Sequence, residues 1–245
     1  MPDEELAARW QLTLGEQFPA GAGGRVFRVT RADGTPAVLK RSLPHREAEQ
    51  EADALERWDG DGAIRVLERD DDAHALLLEL CEPGTPLSAR PKTEALDVLV
   101  ELLPRLWKDA AGFHTLEDEI EFWHDEGDLD GDLLRLAREL GASQGERVLT
   151  NQDLHGDNVL AAQREPWLLI DPKPLAAERE FAVAPIVRSS ELGHSRRDAL
   201  YRLDRLCGDL ALDRERARLW TIVQTTAWSE NLTHRGHVDT IEWLS

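Results

Sequence analysis

The sequence predicts an α+β chain of two lobes, a small antiparallel-sheet lobe over residues 1–82 and a mostly helical lobe over residues 83–245. Three observations lead there. Short alternating, β-branched runs crowd the first eighty residues, as half-buried strands require. Beyond them, leucines and tryptophans recur at three- and four-residue spacing, the period of a helix with one buried face. Between the two, Glu82-Pro83-Gly84-Thr85-Pro86 breaks both patterns and marks the boundary, the first lobe ending in a hinge.

The elements follow in order. Gly21-Ala22-Gly23-Gly24 is followed by Val26-Phe27-Arg28-Val29-Thr30, a first strand. Ala32-Asp33-Gly34-Thr35 supplies a turn into a second, Ala37-Val38-Leu39-Lys40. Pro44 opens a helical stretch that runs through Trp58, where Asp59-Gly60-Asp61-Gly62 ends it. Ile64 to Leu67 and Ala75 to Leu80 read as two further strands joined by the polar Arg69-Asp70-Asp71-Asp72-Ala73. After the boundary, residues 92–112, 116–125 and 128–140 carry helical periodicity. Residues 148–171 return to short apolar strands, and 195–230 is helical again.

The composition, 41% hydrophobic and 31% charged, is that of an ordered, soluble chain. A net charge of -19 repels nucleic acid and anionic lipid and attracts cationic or polyhydroxylated small molecules, although acidity also serves solubility alone. Two cysteines make no disulfide framework, the start Met-Pro-Asp-Glu-Glu has no apolar leader, and no run approaches the roughly 20 apolar residues of a membrane span. A cytoplasmic setting is expected.

The chemistry gathers in Asn151-Gln152-Asp153-Leu154-His155-Gly156-Asp157-Asn158 and in Leu168-Leu169-Ile170-Asp171-Pro172-Lys173. Phosphoryl transfer needs phosphates neutralised, a metal held and a nucleophile aligned, and little covalent participation. Two frames are open. With Asp157 as base, the asparagine required five residues on is Ala162; with Asp153 as base, it is Asn158. The second frame makes Asp153 the catalytic base and Asn158 a Mg²⁺ ligand, with His155 and Asp157 ordering the loop. Asp171, emerging at a strand end, is the second Mg²⁺ ligand, although aspartate before proline also starts ordinary turns.

The other parts lie upstream. Gly21, Gly23 and Gly24 would let backbone N–H groups approach phosphates, as a plain hairpin turn would also require. Lys40, one of only four lysines, ends a strand where an ammonium would meet the α- and β-phosphates. Glu51 is its expected carboxylate partner, because Ala54, Leu55 and Trp58 form a packed face beside it; Glu47, one turn earlier, is the alternative.

Gly-Ala-Gly-Gly (21–24), Ala-Val-Leu-Lys (37–40), Glu-Ala-Asp-Ala-Leu-Glu-Arg-Trp-Asp-Gly (51–60), Ala-Leu-Leu-Leu-Glu-Leu (75–80), Asp-Leu-His-Gly-Asp-Asn-Val-Leu (153–160) and Ile-Asp-Pro-Lys (170–173) together resemble the aminoglycoside phosphotransferase family, and within it the streptomycin 6-kinase and hydroxyurea-kinase branch. The resemblance implies a protein-kinase-like fold, ATP with Mg²⁺, and transfer to a hydroxyl of a small molecule. It also implies that adenine lies at the hinge between Glu79 and Glu82, with Glu79 and Cys81 contributing backbone groups. The chain departs at Asn151, where many relatives carry a histidine that braces the loop.

For the acceptor, the acidic run Glu117, Asp118, Glu119, Glu121, Asp125, Glu126, Asp128, Asp130 and Asp132 is either a cation-binding face or a solvated one. Trp107, Trp123, Trp220 and Trp228 either stack on a sugar or fill the core. Glu191 and Glu230 are further cleft candidates. A streptomycin-like aminoglycoside is the expected acceptor, with hydroxyurea or an endogenous sugar or amino alcohol as alternatives. Two other classes stay open: a catalytically silent nucleotide-binding regulator, and a metal-dependent hydrolase built on Asp153, His155, Asp157 and Asp171.

Overall fold

The strands expected around the first turn form a five-stranded antiparallel sheet in the order β1-β2-β3-β5-β4. These are β1 (Thr13–Phe18), β2 (Gly24–Thr30), β3 (Pro36–Ser42), β4 (Val66–Asp70) and β5 (Ala75–Leu78). The structure is a computed structural model and describes residues 2–19, 24–46, 49–229 and 232–245. Alternation along β3 sends Ala37 and Leu39 into a core with Leu6, Val29, Ala75 and Leu77. The intervening Val38 and Lys40 therefore point to the opposite face of the sheet.

Helix α1 (Asp3–Arg9) carries no clear period, and β1 is the strand that precedes the glycine turn. The helix has only seven residues, and the register of β1 slips between Leu14 and Gln17, which scrambles alternation. Helix α2 spans Glu51–Trp58, so the stretch from Pro44 does not begin as a helix. The reason is burial: Leu43 is exposed, and only from Ala52, Ala54, Leu55 and Trp58 is there an apolar face to pack. β4 likewise runs two residues later than expected. Arg69 and Asp70 pair with Leu76 and Ala75, and Arg69 bonds Asp53, Glu56 and Asp71 along an edge strand charged enough to resist further pairing.

The remaining helices are α3 (Lys92–Leu106), α4 (Leu116–Asp125), α5 (Gly131–Ala142), α6 (Ala184–Arg188), α7 (Arg196–Leu210), α8 (Arg214–Ala227) and α9 (Arg235–Leu244). α3 ends six residues before the periodicity suggests, shortly after Pro104. α4 keeps its expected bounds because Thr115 and Asp118 cap it reciprocally. The 195–230 run divides at Ala211, whose φ of 53° stops α7 before Asp213 caps α8. Two short antiparallel pairs complete the fold: β6 (Arg147–Asn151) with β9 (Pro174–Glu178), and β7 (Val159–Ala161) with β8 (Trp167–Leu169).

The chain divides into two compact units, Met1–Thr85 with Leu160–Asp171, and Pro86–Val159 with Pro172–Ser245. Among the described residues no helix is long and apolar enough to cross a membrane.

Candidate active site

In the first unit the sheet and α2 hold Lys40. Its Nζ donates to both Glu51 oxygens, at 2.6 and 2.7 Å, and also to Asp171 Oδ1. Glu51 is almost wholly buried and Lys40 nearly so, whereas Asp171 is exposed. Burial opposes the Lys40 ammonium, but the Glu51 and Asp171 carboxylates outweigh it and hold its pKa above that of an ordinary lysine. Burial pushes the Glu51 carboxyl above the usual carboxylate range against the pull of Lys40, and the Asp171 charge adds to the push. Asp171 has a φ of 49°, in the left-handed region that aspartate tolerates better than most residues.

Of the glycine turn, Gly21 and Gly23 lie outside the described residues, as does Glu47; Gly24 opens β2 opposite Ser42. The chain just after β5 is held by an arginine. Arg164 donates to both Glu79 oxygens at 2.9 and 3.0 Å and to the carbonyls of Gly60 and Ala63 at 2.6 and 2.9 Å. The Glu79 N–H is taken by Arg65 O at 2.9 Å. Cys81 is buried, and burial pushes its thiol up to about 12, with the Glu79 charge adding to it. Gly84 turns the chain at a φ of 72°, where a Cβ would stand 3.0 Å from Cys81 O.

In the second unit β6 delivers the loop that carries Asp153. Asn151, 3% exposed, accepts the N–H of Asp153 at 3.0 Å and of Lys173 at 2.9 Å through Oδ1, so its carboxamide ties the two loops together. Asp153 is half-buried among cationic groups: Lys173 Nζ at 3.4 Å, His155 Nε2 at 3.8 Å and Arg188 Nη2 at 4.0 Å. Asn158 Nδ2 donates to the Asp153 carbonyl at 3.0 Å and approaches its Oδ2 at 3.4 Å, leaving Asn158 Oδ1 as the oxygen to offer a cation. Asp157 is exposed and accepts from Ser88 Oγ. Gly156 permits this close approach, since a Cβ there would lie 3.0 Å from Ser88 N.

Glu191 joins this loop, accepting the Gly156 N–H at 2.8 Å and standing 3.3 Å from His155 Nδ1. Burial alone would lower the His155 pKa, but the Glu191 hydrogen bond and the charges of Asp153, Glu191 and Asp157 hold it above the ordinary value. Burial raises the Glu191 carboxyl, yet the His155 bond and further hydrogen bonds bring it down to about 2.

The acceptor candidates mostly serve the fold. Glu117 pairs with Arg147, Glu121 with Arg138 and Asp132 with Arg135, while Asp118 caps α4. Trp123 and Trp220 pack with Phe181 in the core, and Arg179 lies over Trp107 at 5.3 Å. Trp228 lies against Lys173 and Arg188, whose cationic groups stand 4.6 and 4.5 Å from its ring. Glu230 lies outside the described residues. Sequence reasoning missed Arg188, Gln224 and Arg164. A single arginine closing the apolar run Ala184-Pro185-Ile186-Val187 was the one available signal of a buried cation.

Residues 9–233 match the model of a family described as aminoglycoside/hydroxyurea antibiotic resistance kinase. A hydroxyurea phosphotransferase of Kitasatospora aureofaciens is 38% identical over 91% of this chain and 71% of that protein. A streptomycin 6-kinase of Streptomyces griseus is 36% identical over 90% of this chain and 79% of that protein. Among solved structures, a choline kinase from Streptococcus pneumoniae shares the fold with a TM-score of 0.69 at 15% identity, covering 98% of this chain and 95% of that one. A thermostable mutant of an aminoglycoside phosphotransferase does so with a TM-score of 0.63 at 16% identity over 99% and 95% of the two chains. The fold is thus protein-kinase-like, and the chain belongs to the aminoglycoside/hydroxyurea antibiotic resistance kinase family.

Proposed function

We propose that the protein transfers the γ-phosphate of ATP to a hydroxyl of a small molecule, with a streptomycin-like aminoglycoside as acceptor. The observation that carries this is the Asp153 loop, where the carboxylate is half-buried, tied to Asn158 and ringed by cations. Asp153 orients the acceptor hydroxyl and takes its proton. Lys40, braced by Glu51, neutralises the α- and β-phosphates, with backbone N–H groups at Gly21, Gly23 and Gly24 beside them. Backbone groups between Glu79 and Glu82, Cys81 included, receive adenine; the Glu79 N–H is already engaged, so its carbonyl is the group on offer.

Asn158 and Asp171 are the residues that would hold Mg²⁺. Both carry side-chain oxygens, the donors a hard divalent cation takes, and Asp171 is exposed beside Lys40. When bound, the ion neutralises charge on the phosphate oxygens. Hydroxyurea is the second acceptor, since the relative at 38% identity is named for it. Two free, buried cysteines and the need for ATP support a cytoplasmic setting.

The test is a product-resolved screen in which purified protein, Mg²⁺ and ATP meet streptomycin, other aminoglycosides, hydroxyurea and small sugars or amino alcohols. A phosphorylated hydroxyl on one of them is expected. ATP binding with no phosphorylated product from any would favour the silent regulator instead.

A further inference from the structure

The side chains around Asp153 close a ring that no motif announces. Arg188, at the end of α6 and 7% exposed, donates through Nη1 to Gln224 Oε1 at 2.7 Å, and its Nη2 stands 4.0 Å from Asp153 Oδ1. Gln224, wholly buried on α8, donates in turn to the carbonyl of Gln152 at 3.1 Å, the residue just before Asp153. One turn further along α8, Trp228 meets two cations, with Arg188 Cζ 4.5 Å and Lys173 Nζ 4.6 Å from its ring. Lys173 Nζ then stands 3.4 Å from the other Asp153 oxygen.

Gln224 and Trp228 are four residues apart on α8 and so share one face. That face holds the loop at two levels, its backbone through Gln224 and its carboxylate through the stacked cations. Burying a guanidinium costs several kcal/mol unless it is paired, and an apolar residue would extend the Ala184–Val187 run at lower cost. The arrangement sets neighbours on both Asp153 oxygens, His155 and Arg188 at Oδ1 and Lys173 at Oδ2, and thereby restricts rotation of the carboxylate plane. A base that must meet one hydroxyl gains from that restriction, because small misplacements of reacting groups are expensive.

We infer that Gln224, Arg188 and Trp228 are positioning residues for Asp153: they set the orientation of its carboxylate through Arg188 and Lys173. The inference rests on Asp153 being the base of the proposed reaction. Arg188→Met and Gln224→Met keep side-chain length and remove the polar links. Each should lower kcat by about 10²-fold while leaving KM for ATP and for the acceptor nearly unchanged. Arg188→Lys, which keeps a cation on Trp228, should recover part of the loss, and Trp228→Phe should retain more activity than Trp228→Leu.

The deciding measurement is a double-mutant cycle. In an Asp153→Asn background, Arg188→Met should have almost no further effect, because its route to the reaction is already cut. Multiplicative losses in the double variant would overturn the inference, as would folded Arg188→Met and Gln224→Met enzymes with wild-type kcat. If Arg188→Met does not fold, the same cycle with Gln224→Met decides. Full activity in Asp153→Asn alone would instead sink the assignment of the base, whatever Arg188 does.

Discussion

Lys40 and Asp153 sit in mirror-image electrostatic settings. In the first unit a single ammonium is shared by two carboxylates; in the second a single carboxylate is surrounded by lysine, arginine and a histidine whose proton affinity is raised. Carboxylates face the Lys40 ammonium, whereas cations face the Asp153 carboxylate, a setting that suits the negative charge of a phosphoryl group in transfer.

Substitutions can break that contrast, beginning with the largest effect. Asp153→Ala should lower kcat by about 10²–10⁴-fold with nucleotide affinity nearly unchanged. Asp157→Ala, which frees Ser88 and removes one of the charges near His155, should keep most activity; the reverse order in steady-state kinetics would transfer the base role to Asp157. Asp171→Ala should act through binding, weakening Mg²⁺-nucleotide affinity by roughly 10–100-fold, the scale of one charged contact of about 1.5–3 kcal/mol. Titration calorimetry with and without Mg²⁺ measures it, and equal affinities for both proteins would remove Asp171 from the metal site.

Smaller effects sharpen the picture of the second unit. Asn151→Leu strips the acceptor from two backbone N–H groups and should cost about 1–3 kcal/mol of stability in chemical denaturation, whereas Asn151→His tests whether an imidazole can brace the same loop. Burial first, then the charges of Arg188 and His234, lower the His237 pKa from 6.5 to about 4. The unfolded chain therefore binds a proton that the folded one refuses, so this contribution is complete above about pH 6.5 and is lost as pH falls towards about 4. Melting curves of wild type and His237→Gln should differ less as the pH drops through that window; a constant difference would mean His237 titrates normally.

Much of the site was legible because its parts are local. Asp153 and Asn158 lie on one loop, so their spacing survives any tertiary arrangement. Lys40 and Glu51 occupy a strand and the helix after it, which makes their pairing a short-range problem once α2 packs through Leu55 and Trp58. The misplaced boundaries, such as the start of α2 and the register of β4, depended on which faces found something to bury.

The sequence by itself determined the two-part α+β architecture, the Asp153–Asn158 spacing and the lysine–glutamate pair, because period and spacing are properties of the chain. Tertiary structure alone decided that residues 160–171 join the first compact unit, bringing Asp171 to Lys40. It alone also ringed Asp153 with Lys173, Arg188, Gln224 and Trp228. Those residues arrive from distant points on the chain, and an arginine or tryptophan in a helix reads the same whether it fills a core or braces a base; only packing tells them apart.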